Sequence, residues 1–285
     1  MKPIFAIDIT DNKRNETVNG KEFVTKSVSK ESFEELEKNQ EELEETLNAA
    51  KLPLLWRVLK ALCGYGSLII LISIVKALRD VSLDEAFRNA PLIFAACPAL
   101  AAVWGVLYIF SKKKESEVLK EQNAESREND IDRNVQDIYN ELGVPHEAAT
   151  ADVLMFRYKI KNGELRPATV GLQNTAYIAL EIRIYAQNGE LCIADLEDVY
   201  TFKLSELKAI KTVKKRIAIP LWNKDEEPTE GEFKKYKLSV NNMGEVLMKP
   251  YHVLEIERDG ETYGIYFPCY ELAVFECLTG LKAEE

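Results

Sequence analysis

Cysteine is scarce and unpatterned: five occur, at Cys63, Cys97, Cys192, Cys269 and Cys277, with no Cys-x-x-Cys pair. An odd, scattered set builds neither a zinc site nor a disulfide framework, and reads as small apolar fillers in a reducing compartment. Histidine occurs only twice, and no paired histidines or Gly-containing calcium loop accompany the many glutamates, so no metal site is expected. With 13 glycines and 10 prolines the chain has no collagen repeat. A phosphate-cradling glycine loop and a Gly-x-Ser-x-Gly elbow are both missing. Positive charge is in deficit, 37 Lys and Arg against 47 Asp and Glu, for a net −10 and a pI near 5.1. That balance excludes a general nucleic-acid binder. What remains is 285 residues, 46% apolar and 29% charged, enough for one large folded domain or two ordinary ones.

The charges are themselves missing from one region. Asn89 to Ser111, NAPLIFAACPALAAVWGVLYIFS, holds no Asp, Glu, Lys or Arg over 23 residues. At about 1.5 Å per residue it reaches about 34 Å, enough to cross a hydrocarbon core of about 30 Å. Trp104, Tyr108 and Phe110 crowd its end, and Lys112 to Lys114 follow as a cationic stop. Pro98 is expected to kink the helix, which membrane spans tolerate. The earlier uncharged run, Ala61 to Val75, is too short alone. Arg57, Lys60 and Lys76 can snorkel from its ends, which extends the expected span to 54–78. The alternative is a hydrophobic hairpin inside a soluble fold, which would need a large surrounding core.

The connector 79–88 is expected outside, because the bases flank the outer ends of the two spans: Lys51, Arg57 and Lys60 on one side, Lys112 to Lys114 and Lys120 on the other. Both termini are then expected to face the cytoplasm. Residues 1–30 lack the apolar core of a cleavable signal, and the sequon Asn15-Glu16-Thr17 carries no meaning on that side. Small residues four apart, Ala95 with Ala99 and Ala101 with Gly105, allow close helix approach, either between the two spans or in a dimer seam.

Residues 31–53 read as an acidic amphipathic helix, with Phe33, Leu36, Gln40, Leu43, Leu47 and Ala50 in one stripe and a Ser32/Glu35 capping box. Within the charged helical linker 112–150, Ile131, Val135, Ile138 and Leu142 repeat the spacing, and Gly143-Val144-Pro145 stops the helix. The two helices are expected to pair as a neck or to pack separately on the C-terminal domain. In 1–30, Ile4 to Ile9 is strand-like, and Asn19-Gly20 is expected to turn a hairpin between Thr17-Val18 and Glu22 to Val24.

Residues 151–285 change to short alternating runs. Strands are expected at 152–160, 165–170, 176–186, 190–196, 199–204, 212–221, 233–240, 246–257 and 261–267, with turns at Asn162-Gly163, Asn188-Gly189, Asn241 to Gly244 and Asp259-Gly260. In 177–185, Ile178, Leu180, Ile182 and Ile184 share one face while Glu181 and Arg183 take the other, as in a one-sided antiparallel sheet. Leu272, Phe275, Leu278 and Leu281 form the stripe of a closing helix. The fold class is therefore α+β: a two-helix transmembrane hairpin, an acidic helical neck and a C-terminal antiparallel barrel or sandwich capped by a helix.

The order of two membrane helices, a strand run containing VYTFKLSELKAIKTVKKRIAIP, and a terminal helix resembles bacterial pleckstrin-homology-like domains of the YcxB type on small membrane proteins, over 54–111 and 165–281. The motif is Ser205-Glu206-Leu207-Lys208-Ala209-Ile210, a short turn between two strands. The opening MKPIFAIDIT and the ending YGIYFPCYELAVFECLTGL also resemble uncharacterised membrane proteins of anaerobic Firmicutes. The resemblance implies a pleckstrin-homology-like binding fold and brings no catalytic residue.

His146-Glu147-Ala148-Ala149-Thr150 begins like a zinc-protease motif but ends in Thr after a helix stop. His252 shares parity with Leu254 and Ile256 and reads as a structural histidine. The candidate contact surface is basic: Lys208, Lys211, Lys214, Lys215 and Arg216, with Lys234, Lys235 and Lys237 on a following strand. If the two strands pair, with Val213, Ile217, Ile219, Leu221, Tyr236, Leu238 and Val240 inward, then Lys214, Arg216, Lys235 and Lys237 make one cationic face. Each base near an anionic leaflet gains on the order of 1 kcal/mol; the plain alternative is a solvated strand face. The expected function is non-catalytic, a membrane protein with a binding or scaffolding module for another membrane protein or anionic headgroups, without cofactor or nucleic acid. Two other classes stay open: an accessory subunit of a transporter or envelope complex, and an enzyme with a cryptic pocket.

Overall fold

The computed structural model describes residues 1–10, 19–79, 82–121, 124–168, 176–220, 230–241 and 244–284. Thr17-Val18 of the expected hairpin, the sequon and Leu221 lie outside the described residues. Along the chain run β1 (Lys2–Pro3), β2 (Ala6–Asp8), a 3-10 turn (Lys21–Phe23), β3 (Val24–Ser27), α1 (Lys30–Ala50), α2 (Leu54–Ala77), α3 (Leu83–Asn89), α4 (Pro91–Glu121) and α5 (Ala124–Leu142). Then come β4 (Ala149–Lys161), β5 (Glu164–Pro167), β6 (Tyr177–Gln187), β7 (Glu190–Ala194), β8 (Asp198–Lys203), β9 (Leu207–Val213), β10 (Ile217–Pro220) and α6 (Glu230–Tyr236). The chain closes with β11 (Ser239–Val240), β12 (Glu245–Met248), β13 (Tyr251–Arg258), β14 (Glu261–Pro268), α7 (Leu272–Thr279) and β15 (Ala283–Glu284). The class is α+β. Two compact units form, one of 1–33 with 135–285, the other of 34–134.

In the first unit, strands are placed by turn chemistry. Asn162-Gly163, Asn188-Gly189 and Asp259-Gly260 each put two successive residues at positive φ, as a two-residue hairpin turn requires. β4, β6, β7 and β8 make one antiparallel meander; β9, β13 and β14 make another. The sheets enclose a core of Ile182, Ile184, Leu191, Ile193, Leu254, Ile256 and Ile265, and Phe275 of α7 enters it with its ring 3.9 Å from that of Phe267. The closing helix therefore plugs the sheets as its stripe implies.

Several expectations are corrected. Residues 212–220 of the expected strand 212–221 are parts of two strands in two different sheets, β9 against β13 and β10 against β12, separated by the exposed link Lys214 to Arg216. Residues 233–236 are helical, because Phe233 and Tyr236 fit a helix face as well as a strand; Lys237 at φ +52° ends the turn, with the Leu238 N–H returning to the Phe233 carbonyl at 2.9 Å. Val240, expected inward, is exposed. The sheet is not one-sided: Leu154, Phe156, Tyr177 and Val253 pack outward into a second core with Ile217, Ile219, Val246 and Met248 of the small β10-β12-β11 sheet.

The N-terminal element joins this unit. β1 pairs in parallel with β14 and β2 in parallel with β4, so one short segment crosses from sheet to sheet and buries Ile4, Phe5 and Ala6 completely or nearly so. Glu22 and Phe23 form a 3-10 turn rather than a hairpin arm, and β3 pairs with β8. Gly20, at φ +86°, admits no side chain: a Cβ there would stand 2.6 Å from Ile4 Cγ2. Helix α1 starts one turn earlier than the expected capping box, since Ser29 Oγ accepts from the Ser32 N–H at 3.3 Å while Ser32 Oγ donates to Glu141 of α5 at 2.7 Å. That contact, with the Ser29 N–H, holds the Glu141 carboxyl below its usual value.

In the second unit α1 turns Leu36, Asn39, Leu43, Thr46 and Ala50 to its covered side, so Gln40 and Leu47 of the expected stripe are exposed. Arg127 of α5 donates to Glu42 at 2.5 Å. Helices α2 and α4 are long and apolar enough to cross a membrane, at 24 residues (about 36 Å) and 31 residues. They pack antiparallel, with the Cys97 thiol 3.5 Å from the Ser67 carbonyl and the Lys60 ammonium 6.0 Å from the Tyr108 ring, and Cys63 and Leu107 are buried. The expected small-residue contacts do not form the seam: Ala95 and Ala99 are exposed, and a Cβ on Gly105 would meet open space. Instead Gly64 admits Trp104, whose Cδ1 would lie 2.8 Å from a Cβ there. The connector carries α3, capped by Ser82, and α4 starts at Pro91, a residue whose missing N–H costs nothing at a helix start.

Candidate functional site

The expected basic surface is dispersed. Lys208 lies 3.6 Å from Glu257 and Lys211 2.6 Å from Glu255, both acids of the adjacent β13. The Glu255 hydrogen bond raises the Lys211 ammonium pKa. Lys214 and Arg216 sit with Lys215 in the exposed β9–β10 link. Lys235 lies on α6 with its ammonium 4.8 Å over the Tyr236 ring, and Lys237 ends that helix. The paired cationic strand face therefore does not form, and Lys214, Lys215 and Arg216 remain together as consecutive exposed residues.

Between α2 and α4 runs an open apolar groove of about 580 Å³, walled by Ala61, Gly64, Leu68, Leu71, Ala101 and Trp104. Trp104 stacks on Tyr108 at 5.4 Å, and the Lys60 ammonium stands 6.0 Å from the Tyr108 ring. Tyr65, Ser67, Cys97 and the Trp104 indole N–H add the only polar side-chain atoms among its lining residues, and the rest of the wall offers shape and dispersion.

A smaller, polar cavity of about 90 Å³ lies where α5 ends, lined by Gln136, Tyr139, Val144, Pro145, His146 and Arg183. Gly143, at φ +77°, turns the chain, with the Val144 N–H on the Tyr139 carbonyl at 2.9 Å. That turn sets His146 beside the strand pair Thr150 and Arg183. The Arg183 guanidinium stands 5.4 Å over the Tyr139 ring and donates to Thr150 Oγ1. Burial pushes the Tyr139 phenol up, against the opposing charge of Arg183. Sequence reading missed this site: His146 was legible only as a failed zinc motif and Arg183 only as an outward strand residue. The one pointer was the helix stop at Gly143.

His252 is buried with Nδ1 3.4 Å from Thr212 Oγ1, and burial lowers its pKa. Burial likewise raises the Cys192 and Cys269 thiols, which disfavours a thiolate nucleophile. No group of three metal-ligating side chains gathers among the described residues. Asp195 accepts the Glu197 and Asp198 N–H groups at 2.8 and 2.7 Å and so shapes a turn, and Tyr270 donates to Asp152 at 2.7 Å inside the second core. Compared with protein-family models, curated proteins and solved structures, the chain matches none.

Proposed function

We propose that this chain is an integral protein of a bacterial inner membrane, crossing it with α2 and α4, with both termini in the cytoplasm and a non-catalytic, pleckstrin-homology-like binding module built from 1–33 and 135–285. The observation that carries the reading is the exposure of the apolar helices: only 6% of the most apolar stretch of each is buried. Leu55, Leu62, Ile69, Leu92, Val106 and Ile109 are each more than 60% exposed, an arrangement stable in hydrocarbon and costly in water. For the module, support comes from connectivity: four meander strands (β4, β6, β7, β8), three more (β9, β13, β14) and then α7 entering the core, the strand run and terminal helix that the sequence resemblance implies. Its ligand is a protein or an anionic lipid. The test is fractionation: the full chain should stay with membranes through an alkaline wash and leave them only with detergent. A detergent-free, monodisperse monomer in the high-speed supernatant overturns the reading.

A second reading, an accessory subunit beside a larger membrane protein, draws on the groove of about 580 Å³ along α2 and α4, wide enough to accept side chains of a third helix. Stoichiometric co-purification of one membrane protein in mild detergent supports it.

A further inference from the structure

We propose that the polar cavity at the end of α5 is a binding site for a small free oxyanion, such as inorganic phosphate or a carboxylate. The cavity measures about 90 Å³ and opens to solvent beside the exposed Gln136 and His146, a site of the size for one compact anion. Its lining residues include Arg183, His146 and Gln136. A guanidinium donates through five N–H groups, accepts nothing and does not deprotonate, so it gives the cavity a permanent positive charge.

What separates Arg183 from a purely structural arginine is its company. Arg258 in the same unit shows the structural case: it is forked onto Glu206, with Nη2 at 2.7 Å from a carboxylate oxygen and 3.2 Å from the Thr201 carbonyl. Half-buried Arg183 instead has the Thr150 hydroxyl, a hydrogen bond to the Tyr139 side chain and the Tyr139 aromatic face, and no ion-pair partner among the described residues. Arg183 also lines the cavity, and a guanidinium has five N–H donors, so two neutral partners leave it donors and an uncompensated charge for an anion's oxygens. The helix end opposes an anion only weakly, because the Val144 and Gly143 N–H groups already engage the Tyr139 and Asn140 carbonyls at 2.9 and 3.0 Å. Glu181 and Asp195 act electrostatically on Tyr139, yet Glu181 is exposed and Asp195 is committed to its turn amides.

The experiment uses the full chain in neutral-detergent micelles, at fixed pH and ionic strength, with chloride exchanged for inorganic phosphate or acetate and the response followed by calorimetry and thermal midpoint. Phosphate should raise the midpoint saturably, and Arg183→Gln should weaken the response roughly tenfold or more, as loss of a charge-assisted contact implies. Arg166→Gln, at an exposed arginine paired with Glu164 at 2.8 Å, should leave it unchanged. Should Arg183→Gln fail to fold, His146→Ala and Gln136→Leu, both at exposed positions, should each weaken it several-fold. Three results overturn the site: no saturable response, equal responses in the chain and its cavity variants, or a response only to phosphatidic acid in the micelle with none to free phosphate.

Discussion

Glu206 and Arg258 form a forked pair, with Arg258 Nε at 3.1 and 3.2 Å from the two carboxylate oxygens and its guanidinium 4.2 Å over the Phe23 ring. Burial alone would raise the Glu206 carboxyl; the Arg258 hydrogen bonds and charge, with the Lys203 N–H, outweigh it and hold the group below its ordinary 4.5. A carboxyl lowered by folding contributes stability above its unfolded value and loses it as pH falls through the folded one. Urea unfolding should therefore show stability falling below about pH 4.5, and Glu206→Gln should flatten that fall while costing about 1–3 kcal/mol at neutral pH; parallel acid profiles would refute the assignment. At Lys214 and Arg216 the expected quantity is lipid affinity. Reversing both to Glu in the β unit, made with 1–33 linked to 135–285, should weaken co-sedimentation with anionic vesicles roughly tenfold or more, at on the order of 1 kcal/mol per base. Reversal of the neutralised Lys208 should change it less, and unchanged sedimentation removes the lipid ligand. The basic cluster was legible in the sequence because its members are neighbours there. Its partners were not: Glu255 lies 44 positions from Lys211, and only the β9–β13 register brings the two together. The polar cavity was illegible for the same reason, since Gln136, His146 and Arg183 come from a helix, a turn and a strand.

Elements were readable wherever local chemistry left one solution. Three Asn-Gly or Asp-Gly pairs fixed three hairpins, the stripe 272–281 fixed the direction of α7, and Gly143 fixed the end of α5. α6 was not readable, because alternate lysines with Tyr236 and Leu238 satisfy period two while Phe233 and Tyr236 satisfy a helix, and the tertiary contact with the second core decides. The N-terminal strand was visible as a strand, but its place between β14 and β4 depends on residues more than a hundred positions away. A consequence follows for construction of the β unit: β1 and β2 supply core, with the Phe5 ring 5.0 Å from Tyr200 and Ile4 fully buried. Phe5→Ala should cost about 3–5 kcal/mol by leaving a cavity, read as a lowered urea midpoint, whereas Phe5→Leu should cost much less. A fragment of 135–285 alone should fail to unfold cooperatively; a cooperative transition equal to that of the linked unit would show that β1 and β2 are ornaments on a complete sheet.

For the molecule as a whole, the decisive quantity is the apolar area that α2 and α4 leave uncovered, and the charge asymmetry around them predicts its orientation. Lys51, Arg57, Lys60 and Lys112 to Lys114 flank the outer ends of the two helices, while the α3 connector balances Arg88 with Asp84 and Glu85. By the excess of Lys and Arg on cytoplasmic segments, both chain ends should lie inside and α3 outside. Cys277 reports on one side without engineering, since it is exposed whereas Cys192 and Cys269 are buried. In spheroplasts an impermeant maleimide should leave Cys277 unlabelled until the membrane is permeabilised, while a variant with Asp84→Cys should label at once on its connector. Labelling of Cys277 from outside reverses the orientation, and it would also place the Arg183 cavity, whose β unit carries Cys277, in the external medium. The cavity's oxyanion would then be drawn from outside the cell, so the side on which Cys277 reacts decides which compartment's anion level the β unit meets.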